Sequence, residues 1–175
     1  RVRSSAASDV YKRQVLTNEL FHLSELTAAL QDTMQIHAAD SGIILICDSY
    51  TVPSNCERVY GSPIYIQKIF FNIIENAIKY NKEDGWVHVS LNADYQYFYL
   101  KVEDSGIGIP EDSLEHIYER FYRVDKSHSR EIGGTGLGLA ITRNAILMHR
   151  GAIKVFSTEG EGTLFTVRIP LNYIA

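Results

Sequence analysis

The chain has 175 residues, 45% of them hydrophobic and 22% charged, the size and mix of one globular domain. Its 17 basic residues are outnumbered by 21 acidic ones, a formal net charge of −4, which argues against nucleic acid or an acidic membrane as a partner. Two cysteines cannot alone build a disulfide framework or a zinc site, and the longest apolar run, Ile43 to Cys47, is far too short to span a membrane.

Residues 1–14 show no helical or strand period and are set aside as a non-native or disordered tail. The chain starts at Arg1 without a methionine, so missing upstream sequence is expected, and residues 15–175 are read as one domain. Leu16, Leu20, Leu23, Leu26, Leu30 and Met34 recur at three- and four-residue steps. They predict a helix over 16–38, stopped by Asp40-Ser41-Gly42. A short strand over 43–47 and an irregular stretch over 48–61 follow. Ser62 and Pro63 read as the N-cap and first turn of a second helix that runs to about Tyr80. Ile66, Phe70, Ile73, Ile74 and Ala77 are its buried stripe.

Two alternating strands come next. Val87, Val89 and Leu91 face away from Trp86, His88 and Ser90, and Phe98, Leu100 and Val102 face away from Tyr97, Tyr99 and Lys101. A polar stretch over 104–134 leads to a third helix over 136–149. His149 closes that helix, where partial positive charge suits the dipole. A hairpin ends the pattern, with Ile153 and Val155, then Phe165, Val167 and Ile169, pointing inward.

Strands with one apolar and one polar face make a sheet with one wet side. Three long helices with one apolar stripe each then pack on the other side. The expected fold is an α/β two-layer sandwich with a mixed, largely antiparallel sheet. Loops beyond about 12–15 residues are uncommon in compact domains unless they are functional lids or disordered. The 104–134 stretch is longer and has glycine-rich turns at both ends, so it reads as a lid.

Four constellations carry chemistry. Asp104-Ser105-Gly106-Ile107-Gly108 follows a strand. Its carboxylate would accept from the exocyclic amine of adenine, although the same residues suit an ordinary turn. Gly133-Gly134-Thr135-Gly136-Leu137-Gly138-Leu139 opens a helix. Without a preceding strand or a Gly-Lys-Ser/Thr ending, it is a phosphate cradle of another kind or a plain hinge. On the second helix, Asn72, Asn76 and Lys79 share one flank of the apolar stripe, and Glu75 falls on the opposite, solvent side. An Asn oxygen suits Mg²⁺ and a Lys suits phosphate, while a plain polar helix edge would look the same. Inside the lid, Glu119-Arg120-Phe121-Tyr122-Arg123-Val124-Asp125-Lys126 mixes rings and charge, as a docking flap or a solvated turn would.

In this order and spacing the four segments resemble the N, G1, F and G2 boxes of the histidine-kinase catalytic and ATP-binding domain. That ATPase family is shared with gyrase B, Hsp90 and MutL. The likeness covers about residues 16–171, and the pair ERFYRVDKS and GGTGLGLAI is similar to the sensor-kinase branch. It implies ATP between the second helix and the lid. Asn76 would hold Mg²⁺, with Asn72, Lys79 and Tyr80 on the same wall. Asp104 would read the adenine amine, and Gly106 and Gly108 would admit the base. Gly134, Thr135, Gly136, Leu137 and Gly138 would flank the triphosphate, with Phe121 and Arg123 from the lid and Thr163 from the last glycine turn. Gyrase-like relatives carry a Glu where Asn72 stands, and an Asn cannot be that base.

The resemblance further implies a protein-histidine kinase that donates the γ-phosphate of ATP to a His on a separate dimerisation and phosphoacceptor hairpin, for relay to a response regulator receiver domain. None of the six histidines lies in a His-Glu/Asp-x-x-x-Pro setting, so the chain is read as the donor half, monomeric and cytoplasmic. The alternatives are a stand-alone anti-sigma-type serine kinase of the same fold and a non-catalytic ATP-sensing module.

Overall fold

The computed structural model describes residues 18–48, 52–124 and 136–172. In chain order, β1 (Glu19–His22) leads into helix α1 (Leu23–Asp40), then β2 (Ile44–Cys47), β3 (Arg58–Gly61) and helix α2 (Pro63–Lys79). The hairpin of β4 (Trp86–Ala93) and β5 (Tyr97–Asp104) follows. Helix α3 (Gly138–Met148) precedes the closing hairpin of β6 (Ala152–Thr158) and β7 (Gly162–Pro170).

Five strands form one sheet in the spatial order β2-β4-β5-β7-β6. β2 runs parallel to β4, and the other pairs are antiparallel. Period-2 alternation puts Val87 and Leu91 of β4, Phe98, Leu100 and Val102 of β5, and Phe165, Val167 and Ile169 of β7 on one buried face. Lys101, Glu103 and Arg168 stand exposed on the other. The helices cover the apolar face, which is the expected mixed, largely antiparallel two-layer sandwich. Helix α2 supplies the centre of the core. Ile66, Ile69, Phe70, Ile73, Ile74, Ala77 and Ile78 are buried, and Phe70 meets Phe98 edge-on at 6.0 Å between ring centroids.

Three local expectations are corrected. Residues 19–22 were expected in the first helix but form β1, antiparallel to β3, which falls in the stretch expected to be irregular. Leu20 pairs across this ribbon with Tyr60 and is 57% exposed, so it never belonged to the helix stripe; Leu23, Leu30 and Met34 do. A four-residue strand whose partner lies far along the chain leaves no local period to read. Leu16 and the 1–14 tail lie outside the described residues.

Ser62 precedes α2 as expected, but its side chain makes no capping bond. Its amide donates instead to Nε2 of buried His149 at 3.0 Å, and His149 Nδ1 meets the Ala145 carbonyl at 2.7 Å. An imidazole that accepts at one nitrogen and donates at the other is uncharged. His149 therefore ties α3 to the start of α2 by hydrogen bonds, not by charge against a dipole.

The first part of the expected lid is packed. Ser113 and Ile117 are buried, and Arg143 of α3 lies over the Tyr118 ring at 5.5 Å. Residues 125–135 of the lid lie outside the described residues. Among the described residues no helix is long and apolar enough to cross a membrane.

Phe98 is fully buried against Phe70, so Phe98→Ala is expected to cost about 3–5 kcal/mol of stability. A lowered urea midpoint with an unchanged m-value is the measurement that checks this.

Candidate functional site

A cavity of about 500 Å³ opens between α2, the end of β5, the 107–124 segment and the start of α3. Helix α2 reaches it with the flank beside its buried stripe. Asn72, Asn76, Lys79 and Tyr80 all line it. Asn72 Nδ2 donates to the Gly138 carbonyl at 3.3 Å and to Thr142 Oγ1 at 3.1 Å, which fastens α2 to the first turn of α3. Its Oδ1 is the atom left for a ligand. The side-chain amide of Asn76 has no hydrogen bond to any described residue. Lys79 Nζ stands 3.6 Å from Glu75 Oε1.

Glu75 was expected on the solvent side, yet it lines the same cavity. The angular reading was right about the side opposite the stripe. It did not foresee that this side would share a cavity with the 107–124 segment.

Across the cavity, Asp104 ends β5. Its Oδ1 accepts from the amides of Gly106 at 2.8 Å and Thr163 at 3.3 Å. Both bonds fall on one oxygen, so Oδ2 is the acceptor available to a ligand. Burial pushes the Asp104 carboxyl up to about 6, against the opposing pull of those two amides. The backbone around it is crowded. Gly108 has φ +69° and Gly162 has φ +134°. A Cβ on Gly108 would strike the Thr158 carbonyl, and one on Gly162 the Asp104 carbonyl. Only glycine fits either place.

Gly136, Leu137 and Gly138 also line the cavity. Leu137 is the N-cap of α3, and its side chain makes no capping hydrogen bond to the first amides of that helix. Uncapped amides at a helix N-terminus suit an anion. From the lid, Arg123 and Tyr122 line the cavity.

Of the residues singled out from sequence, Asn72, Asn76, Lys79, Tyr80, Asp104, Gly108, Arg123, Gly136, Leu137, Gly138 and Thr163 share this one hollow. Gly106 is not part of its lining; it packs against the Tyr80 carbonyl behind Asp104. Phe121 also stands apart, 71% exposed, with its amide donating to the Gly136 carbonyl at 3.0 Å. Gly134 and Thr135 lie outside the described residues. Sequence reading missed the apolar walls, which are Ile107, Ile109, Ile117, Leu139 and Phe165. The alternation of Ile and Gly over 107–109 was a usable signal for the first two.

The arrangement offers apolar walls, a half-buried acid with one oxygen open, and a helix flank of amides and Lys79 with Glu75 beside it. That is a site for a flat, hydrogen-bond-donating ring joined to a polyanion. The profile of the histidine kinase-, DNA gyrase B- and HSP90-like ATPase family matches residues 61–173, more than half of the chain, and the chain belongs to that family. Within the family it is similar to sensor kinases. It is 44% identical over 112 residues to the sensor histidine kinase RppB of Synechocystis sp., covering 64% of this chain and 25% of RppB. It superposes on the catalytic domain of histidine kinase ThkA with a TM-score of 0.72 at 26% identity, covering 89% of this chain and 97% of that one. ThkA has also been captured with the response regulator protein TrrA. Full-length ShkA in complex with AMPPNP gives a TM-score of 0.73 at 26% identity, over 91% of this chain and 32% of ShkA. The chain spans about a quarter or less of the length of RppB and of the sensor histidine kinase WalK of Bacillus subtilis.

A ligand amine needs Asp104 ionised. Affinity for ATP is therefore expected to fall as pH drops through about 6, where the carboxyl gains its proton. Asp104→Asn should bind more weakly at pH 8 and show a flatter profile. Calorimetric titration of both proteins from pH 8 to pH 5 checks this, and their difference removes the titration of the nucleotide's own phosphates.

Proposed function

We propose that the chain is the ATP-binding catalytic domain of a two-component sensor histidine kinase. It donates the γ-phosphate of ATP to a histidine on a separate helical hairpin, for relay to a response regulator in the cytoplasm. One observation carries this reading. Asn72, Asn76 and Lys79 share a hollow with Asp104 and with the glycine-rich start of α3. The names of RppB, ThkA and ShkA, the AMPPNP bound to ShkA and the regulator bound to ThkA support it.

In this reading Asp104 Oδ2 accepts from the adenine amine, and the Ile107, Ile109, Ile117 and Phe165 walls exclude water around the ring. Lys79 and Arg123 face the phosphates together with the first amides of α3. The donor set fits Mg²⁺ only jointly with a nucleotide. Among the described residues no three His, Cys, Asp or Glu side chains cluster as metal ligands, while the Asn76 amide is unpartnered at the cavity wall. Mg²⁺ ordinarily takes one or two protein oxygens and fills its shell with phosphates and water. Asn76 would hold it, with Asn72 on the same wall, and the ion would supply neutralisation of charge on the phosphate oxygens.

The acceptor imidazole attacks the γ-phosphorus as the bond to the bridging oxygen breaks, and ADP leaves. Little covalent chemistry falls to the protein, so positioning and charge neutralisation dominate. Asn72 suits transfer over hydrolysis. Its Nδ2 is already committed to Gly138 and Thr142, and an amide takes no proton from water.

The test mixes the chain with γ-labelled ATP, Mg²⁺ and a separately supplied hairpin bearing a His acceptor. Acid-labile label on the hairpin supports the reading; ATP binding without transfer sinks the kinase part, and no ATP binding sinks all of it. Asn76→Ala is expected to weaken Mg²⁺-dependent ATP binding by about tenfold to a hundredfold, the scale of one bond to a charged group. Circular dichroism of the variant should match the parent.

A further inference from the structure

The two walls of the cleft belong to different parts of the chain, and something must hold them at a fixed spacing. The amide and lysine wall ends at the C-terminus of α2. The acid that faces it ends β5. Between them sits Asn81, just past α2, which uses both ends of its side chain. Its Nδ2 donates to the Ala77 carbonyl at 3.0 Å, on α2, and to the Trp86 carbonyl at 3.0 Å, at the start of β4. Its Oδ1 accepts from the Lys82 amide at 2.9 Å and from Ser105 Oγ at 3.0 Å.

Ser105 is the residue after Asp104, and it closes the other half of the link. Its Oγ accepts from the Trp86 amide at 2.8 Å, and its own amide donates to the Trp86 carbonyl at 3.1 Å. The neighbouring backbone is fitted to this side chain. A Cβ on Gly85 would strike Asn81 Oδ1, and one on Gly106 would lie 3.2 Å from Asn81 Cα. The Ile107 amide donates to the Tyr80 carbonyl at 3.0 Å, one residue before Asn81.

We propose that Asn81 and Ser105 form a latch that sets the distance between the phosphate wall and the base-reading acid, so that Asn81 is a positioning residue for the nucleotide. Neither residue lines the cavity. The latch acts through Asp104, whose Oδ1 is held by the Gly106 amide in the same turn. This rests on the reading of the cleft as an ATP site.

The chemistry of Asn is specific to the task. The site needs two donors for carbonyls and one acceptor for an amide and a hydroxyl. Asn81→Asp keeps the acceptor but sets a carboxylate against the Ala77 and Trp86 carbonyls. Asn81→Ala removes all four bonds. Ser105→Ala cuts the link from the other side and leaves Asn81's bonds to Ala77, Lys82 and Trp86 intact.

The experiment measures Mg-ATP affinity from pH 8 to pH 5 for the parent, Asn81→Ala, Ser105→Ala and the double variant, with thermal melts alongside. Asn81→Ala is expected to lose about 5–30-fold in affinity at pH 8, the scale of one or two lost hydrogen bonds. The double variant should lose little more than Asn81→Ala alone, because both changes break one link. A loosened turn admits water to Asp104. The lower midpoint of the affinity profile should then move from about 6 toward the ordinary Asp value, with Glu103 the other carboxylate acting on it. A fold-wide loss of stability would lower the amount of competent protein without moving that midpoint.

Unchanged affinity in Asn81→Ala overturns the latch, as do losses that simply add in the double variant or a midpoint that stays in place. Should Asn81→Ala fail to melt cooperatively, Ser105→Ala alone decides by the same midpoint. A parent chain that takes up no ATP overturns the ATP-site reading itself, which is a separate outcome.

Discussion

Helix α2 can bury only one face, and the site follows from which one. Its stripe of Ile66, Ile69, Phe70, Ile73, Ala77 and Ile78 lies against the sheet. Each Ile or Phe side chain of it contributes about 1.5–3 kcal/mol when buried. Turning the helix by one residue would expose part of that stripe and drive Asn72 or Asn76 toward the core, where an unpartnered amide costs about 1–3 kcal/mol. Both terms oppose the rotation, so the register of the helix is fixed by packing. The polar flank then has one place to go, the rim beside the end of β5. Asn72 tightens the arrangement, since its Nδ2 also holds the first turn of α3.

The opposite wall is built by backbone and not by packing. Asp104 sits at the end of β5 in register with Thr163 of β7. That pairing brings the Thr163 amide to the carboxylate. Gly162, with no Cβ, lets the strand start so close to the Asp104 carbonyl. The acid is thus held by two amides on one oxygen while burial works against its charge. The other oxygen remains free to read a donor.

Much of this was legible from the sequence, for identifiable reasons. The period-2 strands and the stripe of α2 survive into the structure because each is a local pattern with a large burial term behind it. Asn72, Asn76 and Lys79 stood out as amides and a cation beside an apolar stripe and Asp104 as an acid at a strand end, and only their common order and spacing, through the family resemblance, set them apart from a polar helix edge and an ordinary turn. The ribbon of β1 and β3 was invisible, since its register is set between distant short segments whose facing residues, Leu20 and Tyr60, are exposed. Glu75 was misplaced for a related reason. A helical wheel separates core from its opposite, but it does not say what else folds over that opposite side. The capping bond expected of the Ser62 side chain is absent, and its backbone amide donates instead to His149, a contact between residues 87 positions apart.

The charges in the cleft raise a last point about how it would take a polyanion. Lys79 and Arg123 line it, but so do Glu75 and Asp104, and the whole chain is at −4. Among the described residues, formal side-chain charge in the lining therefore cancels near neutral pH, and Lys79 is already turned to Glu75 at 3.6 Å. In the proposed function the attraction must come from elsewhere. The start of α3 supplies it in part, with its first amides and the positive end of a helix dipole, equivalent to roughly half a charge. The rest falls to a cation carried with the nucleotide and met by neutral amide oxygens. In that proposal a neutral wall of Asn72 and Asn76 would take the nucleotide together with its metal. A wall of fixed cations would have favoured phosphate in any form, spent or not.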